Sequence, residues 1–247
     1  MKNAANSVGF RFLFLGIYGL AMGLFEAVLV IYLRLLYYPG GFSFPLVEIP
    51  PGVLPMELLR EISTLVMIVA VAVVAGRDKL KRLGWFLYIF AVWDIFYYIF
   101  LKILIGWPDS FMTWDILFLI PVTWVGPVLA PLICSVTMIG MACVLILPGF
   151  WGLRVKAAAA HWALIFSGAA VIFVSFVKDY ILIILRGGYL ENYFELHRNT
   201  GFMKEVTSFI PQSFSWLLFW VGEALILIAL FLIARKTAVR ADIIRQR

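Results

Sequence analysis

The chain has 247 residues, of which 64% are hydrophobic and only 14% charged, and its formal net charge is +6. A soluble domain is about 45–50% apolar and about 25% charged, so one soluble core cannot bury this excess and the surplus must face lipid. The basic residues stand in short segments between apolar runs, which is typical of membrane topology signals and argues against nucleic-acid binding.

Six apolar runs are long enough for a helix of roughly 20 residues to cross a bilayer. The sequence therefore predicts an all-α integral membrane protein: a single polytopic domain over residues 1–247, with about six transmembrane helices and no soluble domain. The first run is too long for a signal peptide, so we expect it to be retained. The predicted spans are approximately 12–37, 57–75, 85–105, 124–147, 160–184 and 213–234.

Lysine and arginine are distributed unevenly among the connecting segments. Residues 39–55 and 106–113 contain none, whereas the segments 77–82 and 154–156 and the C-terminal tail are basic. Basic connections stay on the cytoplasmic side, so this alternation predicts that both termini are cytoplasmic. The connection 185–212 carries charges of both signs and does not discriminate. A retained first span fits a bacterial or archaeal inner membrane.

The apolar segment from Trp114 to Pro131 contains three prolines. Prolines at this spacing cannot lie in one undisturbed helix. We predict a short interfacial or re-entrant piece over residues 115–120, with the fourth helix beginning near Trp124. Non-helical backbone at membrane depth needs protein or water partners, so we expect a cavity at this level. A kinked helix without functional meaning is the alternative.

Aromatic residues are frequent near the predicted ends of the spans. Tryptophans such as Trp107 and Trp114 indicate the aromatic belts of a membrane protein. The connection 187–212 is expected to form a short amphipathic helix on the outer surface. Its aromatic side chains, Phe202 among them, would face the membrane interface.

Eleven acidic or basic residues lie within or beside the apolar runs, where charge is expensive: the nine candidates named below, together with Lys178 and Asp179. Inserting a charge at the centre of a span costs about 2.5–3.5 kcal/mol, so such residues face the bundle or water and find partners. On the predicted topology they all fall in the middle or outer half of the membrane. This asymmetry predicts a polar chamber open to the outside and sealed by apolar packing on the cytoplasmic side. The candidate substrate- or ion-binding residues are Glu26, Arg34, Glu57, Arg60, Glu61, Asp94, Lys102, Asp115 and Glu223.

The spacing of several of these residues places them on shared helical faces. Glu57 and Glu61 lie one turn apart, and Arg60 follows Glu57 by three residues. Asp94 and Lys102 lie two turns apart on the third span. Buried pairs of this kind either form a binding site or only fix the registry of the helices, and the sequence leaves both interpretations open.

The sequence predicts no cofactor and no metal site. His161 and His197 fall on opposite sides of the membrane, so they cannot share a haem or a metal, and His161 alone is interpreted as a helix-capping or interface residue. Cys134 and Cys143 fall on opposite faces of one helix, which disfavours a disulfide. Catalytic residues stay unknown, because no nucleotide-binding, nucleophile-elbow or zinc-protease motif is present.

Three functions remain open on this basis. The first is a transporter or a solute- or ion-binding protein, in which Glu26, Asp94 and Glu223 carry protons or cations and Arg34 or Arg60 holds an anionic group. The second is a membrane-embedded enzyme acting on a lipid head group. The third is an accessory subunit of a larger membrane complex. The expected partners are membrane lipids, further copies of the chain or other membrane subunits, and no nucleic acid.

Overall fold

The computed structural model describes residues 2–50, 52–189 and 199–245, with side chains described over 8–50, 52–189 and 199–237. This part of the chain is helical apart from one β-hairpin and its loops. A 3-10 turn, Leu147–Trp151, extends the fourth helix. The elements in chain order are α1 Lys2–Tyr37, α2 Val53–Ala75, α3 Lys79–Ile105, β1 Trp114–Phe118, β2 Trp124–Pro127, α4 Leu129–Ile146, α5 Ala159–Arg186, α6 Thr200–Ser208 and α7 Trp216–Arg245.

Six of these helices, all except α6, are long and apolar enough to cross a membrane. Large apolar side chains cover the outside of the bundle; Val74 is 89% exposed and Leu217 is 80% exposed. Such a surface is stable only against lipid. The predicted fold class, an all-α integral membrane protein with about six spans, is confirmed.

The start of the fourth helix was predicted too early. Residues 124–127 are not helical, because they form the second strand of an antiparallel hairpin in which Asp115 lies opposite Gly126 and Ile116 opposite Val125. The hairpin is closed at its base by the amide of Val128, which donates to the carbonyl of Thr113 at 3.0 Å. The proline-broken segment is therefore a β-hairpin, and the helix begins only at Leu129.

Helix α6 occupies part of the connection for which a surface helix was predicted. The Asn199 side chain caps its first turn by accepting from the Phe202 amide at 3.1 Å. Phe202 does not face the membrane interface as expected: it is buried with Val206 against Tyr180 and Val125. The predicted interfacial residues between 190 and 198 lie outside the described part of the chain.

We call the end of the bundle that carries the hairpin and α6 the hairpin end, and the opposite end the tail end. The hairpin end also carries the loop 38–50, which follows α1. Six spans that alternate in direction place the beginning of α1 and the end of α7 together at the tail end. All loops that border the cavity described below lie at the hairpin end.

Two helix pairs are in close contact through glycine. On α1, a Cβ added to Gly23 would lie 2.8 Å from the carbonyl oxygen of Trp93 on α3, and one added to Gly19 would lie 3.0 Å from that of Ile89. On α5, a Cβ added to Gly168 would lie 2.6 Å from the carbonyl oxygen of Gly222 on α7. Small residues at such spacing let helix backbones approach each other, which is a main source of helix association in lipid.

Replacing Gly23 by alanine is expected to destabilise the protein, because the added methyl group meets backbone atoms of α3 that cannot move aside alone. Overpacking of this kind costs about 1–3 kcal/mol. The matched control is Gly140→Ala on α4, where the added methyl group meets no atom of the described residues within 4 Å. In thermal melting of the detergent-solubilised protein, Tm should fall for Gly23→Ala and not for Gly140→Ala. Equal Tm values would contradict the close α1–α3 contact.

Candidate functional site

A cavity of about 290 Å³ lies at the hairpin end, between α1, α2, α3, the hairpin and α6. Its volume is at the lower limit of pockets that bind small molecules, about 300–1,000 Å³. Ionisable side chains from four different elements meet in its wall. Seven of the nine candidate residues line it: Glu26, Arg34, Glu57, Arg60, Glu61, Asp94 and Asp115.

Arg60 joins α1 to α2 at one side of the cavity. Its Nε donates to Glu57 Oε2 at 2.8 Å within α2, and its Nη1 donates to Glu26 Oε1 on α1. The three side chains are between 11% and 18% exposed. One guanidinium group therefore faces two carboxylates, and a formal negative charge remains on this cluster.

Arg34 lies in the wall of the cavity, near the end of α1. Its Nη2 donates to Asp115 Oδ1 at 3.1 Å. Its guanidinium lies 3.7 Å from the ring centre of Trp107 and 4.6 Å from that of Phe42. This stacking is a favourable cation–π arrangement. Trp107, which was predicted to belong to an aromatic belt, is thus also a stacking partner of Arg34.

Asp115 is only 2% exposed and lies on strand β1. Besides Arg34, it accepts a hydrogen bond from the Tyr98 hydroxyl at 3.2 Å. Burial raises the pKa of this carboxyl from 3.8 to about 6, and the opposing effects of Arg34 and Tyr98 only partly offset it. Near neutral pH the group is ionised, and in mildly acidic solution it takes up a proton.

The folded protein therefore binds an extra proton at Asp115 between about pH 4 and pH 6. The contribution of this group to stability is present at low pH and is lost as the pH rises to about 6. The change is on the order of 2–3 kcal/mol. We expect the Tm of the wild type to fall relative to that of Asp115→Asn across this window, and the difference to be constant above about pH 7. Thermal melting in a nonionic detergent measures it.

The control for this pH dependence is Asp109→Asn, which neutralises an exposed carboxylate at the same end of the bundle. It should follow the wild type at every pH. A difference between wild type and Asp115→Asn that does not change with pH would show that Asp115 does not titrate in this window.

Glu61 connects α2 to the turn of the hairpin. Both of its carboxylate oxygens lie 3.1 Å from the Leu119 amide nitrogen, which donates to them. The side chain is 6% exposed, and Arg60, one residue before it, is bonded to Glu26 and Glu57 instead. Glu61 is thus held by a neutral donor.

Asp94 is the one carboxylate of α3 and lies deep in the bundle. It stands eleven residues before the end of that helix, roughly 16 Å below it at 1.5 Å per residue. Its Oδ2 accepts from the Ser135 hydroxyl on α4 at 2.8 Å. Asp94, like Glu61, has a neutral hydrogen-bond partner and forms no salt bridge with the described residues.

Two candidates lie elsewhere. Lys102 is exposed, and its ammonium group donates to the carbonyl oxygens of Gly106 and Pro108, both at 2.8 Å, so it caps the end of α3. Glu223 on α7 is 1% exposed and accepts from Thr137 on α4 at 2.8 Å, away from the cavity. Both were selected as candidates because of their predicted depth in the membrane. Depth does not show which face of a helix a residue occupies.

The walls of the cavity contain aromatic residues that the sequence did not single out as site residues. Tyr97, Tyr98 and Trp93 all lie on α3, and Tyr180 reaches the cavity from α5. The available signal was the four-residue spacing of Asp94 and Tyr98. His161 is a helix-start residue, as expected: its Nδ1 accepts from the Ala158 amide at 2.9 Å.

These features define the class of the protein: it is a polytopic integral membrane protein with a polar, aromatic-walled cavity at one end of its bundle. No protein-family model, curated protein or solved structure matches the chain.

Proposed function

We propose that the protein is a transporter or solute-binding protein of the membrane whose cavity receives a solute, a cation or a proton from the outer side. The observation that carries this proposal is the convergence of seven ionisable residues, distant in sequence, on one cavity. Ionisable residues at membrane depth are functional candidates by default. If these residues served only to fix the registry of the helices, each carboxylate would be expected to form a salt bridge. Two of the five carboxylates form none among the described residues.

The distribution of basic residues supports the outward orientation of the cavity. The hairpin-end segments 38–50 and 106–113 contain no lysine or arginine, whereas the tail-end segments 76–82 and 152–158 are basic. The positive-inside rule therefore supports a cytoplasmic tail end and an outward-facing hairpin end. In cells, an impermeant maleimide should therefore label Glu48→Cys and leave Lys79→Cys unlabelled. Labelling of the second variant would reverse the orientation.

The paired state of both arginines favours solute binding over the lipid-enzyme alternative. A head-group clamp needs a guanidinium free to bind phosphate in a bidentate manner. Arg34 is bonded to Asp115, and Arg60 is bonded to Glu26 and Glu57. Binding of an anion would have to displace these carboxylates.

The test is ligand-induced stabilisation of the purified full-length protein against a panel of amino acids, amines, sugars, nucleosides and inorganic salts. At least one class should raise the Tm of the wild type in a saturable manner and should fail to do so for Asp94→Asn. Glu48→Gln, an exposed carboxylate at the same end, is the matched control and should respond as the wild type does. Counterflow in proteoliposomes then separates transport from binding alone.

No stabilisation by any class, with no proton uptake by the cavity, would contradict the proposal. Co-purification of a stoichiometric membrane partner without ligand binding would instead favour the accessory-subunit alternative.

A further inference from the structure

The cavity carries more negative than positive charge. Five carboxylates and two guanidinium groups line it, and neither lysine nor histidine is present among the described lining residues. The formal excess is three negative charges. Both guanidinium groups are already bonded to carboxylates, so the excess resides on the Arg60 cluster and on Glu61 and Asp94. Buried carboxylates without a cationic partner favour a ligand that carries positive charge.

The arrangement of these carboxylates does not suit a metal ion. Hard cations such as Ca²⁺ take 6–8 oxygen ligands at about 2.3–2.6 Å, which requires several carboxylates to converge on one point. Within the described residues, no three side chains of aspartate, glutamate, histidine or cysteine converge in this way. A cation distributed over a larger body fits better.

Aromatic rings form much of the remaining wall. Ammonium groups bind to the faces of tyrosine, tryptophan and phenylalanine by cation–π attraction. Two lining residues already make one cation–π contact: the guanidinium of Arg34 lies 4.6 Å from the ring centre of Phe42. The aromatic lining residues include Phe42, Trp93, Tyr97, Tyr98 and Tyr180.

Among the described residues, three buried polar atoms in the same wall have no hydrogen-bond partner: Trp93 Nε1, Arg34 Nη1 and Tyr180 Oη. Their residues are between 2% and 8% exposed. All three are hydrogen-bond donors, and a buried donor without a partner is destabilising. A ligand with an oxygen atom would satisfy at least one of them.

We propose that the cavity binds a small organic ammonium ion that carries a hydroxyl or carbonyl oxygen, of the choline type. The ammonium group faces Glu61 or Asp94 against the aromatic wall, and the oxygen accepts from Trp93 or a neighbouring donor. This inference rests on the proposed function, since it names the class of solute that the same cavity receives.

The experiment compares four probes on the purified full-length protein by calorimetry and thermal melting: choline, tetramethylammonium, sodium ion and 3,3-dimethyl-1-butanol. The last has the shape of choline and lacks its charge. Choline should bind at least tenfold more tightly than its neutral counterpart, and roughly 2- to 10-fold more tightly than tetramethylammonium, the worth of one hydrogen bond. Sodium chloride at the same ionic strength should give no saturable shift.

Variants of the protein test which side chains contact the ligand. Glu61→Gln and Asp94→Asn keep an oxygen for Leu119 and Ser135 and remove the charge, so at least one should lower choline affinity tenfold or more. Trp93→Phe should remove the preference for choline over tetramethylammonium and leave tetramethylammonium affinity unchanged. Glu48→Gln should bind as the wild type does.

The two proposals fail differently. Choline binding no tighter than its neutral counterpart, or no binding of either ammonium compound at millimolar concentration, overturns the ammonium inference even if the variants fold poorly, because it is measured on the wild type. Saturable binding of another solute that is lost in Asp94→Asn would then leave the proposed function standing. If no solute bound and the cavity took up no proton, both proposals would be contradicted.

Discussion

Replacing Arg60 by methionine is expected to lower the stability of the protein by about 3–5 kcal/mol, the usual cost of removing one member of a buried ion pair. The substitution leaves Glu26 and Glu57 facing each other with no guanidinium between them. In detergent the Tm should fall by many degrees. The measurement is thermal melting followed by size-exclusion chromatography.

A double-mutant cycle tests whether this loss arises from the ion pair. Glu26→Gln in the Arg60→Met background removes one of the unpaired charges, so the double variant should recover part of the lost Tm. Arg186→Met is the matched control, because Arg186 is exposed at the hairpin end of α5. If Arg60→Met and Arg186→Met were equally stable, the Arg60 cluster would not hold α1 to α2.

The second large effect is expected at the hairpin, where Glu61 is the only described side chain that hydrogen-bonds to the Leu119 amide. Glu61→Leu removes this acceptor and leaves a buried donor, at a cost of about 1–3 kcal/mol. Local opening of the hairpin should rise about 10- to 100-fold. Hydrogen exchange measured by mass spectrometry on peptides covering 114–127 reports it.

Glu61→Gln separates the structural role of this residue from its charge. Its amide oxygen can still accept from Leu119, so hairpin exchange should stay near the wild-type rate. Rapid hairpin exchange in both variants would show that the charge itself holds the turn, and slow exchange in both would show that the turn does not depend on Glu61.

Hydropathy and loop composition predicted the helices well, because crossing a bilayer requires long apolar segments whose backbone groups bond internally. The hairpin was not predictable in the same way. The segment 114–127 is almost uniformly apolar and contains prolines, so no two-residue alternation marks its strands. Its strand pairing depends on contacts with α2 and α3, such as Glu61 to Leu119, that are remote in sequence.

The candidate residues were found by the energetic cost of charge in lipid. This criterion predicts how deep a residue lies in the membrane but not which way its side chain faces. The pair of Arg60 with Glu57 follows from their three-residue spacing. The pair of Arg34 with Asp115 joins positions 81 residues apart and required the fold. Lys102 and Glu223 satisfied the same criterion, and the fold places them outside the cavity.

The glycine contacts hold two pairs of helices closely together. Helices α1 and α3 touch backbone to backbone, as do α5 and α7, so neither pair can slide or separate without losing its closest contacts. Helix α4 packs extensively on α3 and less on α7. Any rocking motion that exposed the cavity at the tail end would therefore move α1, α3 and α4 as one body against α5 and α7. The hydrogen bond from the Thr137 hydroxyl to the Glu223 carboxylate crosses the seam between these two groups of helices, outside the cavity, and the apolar side chains of Met141 and Leu145 pack across the same seam.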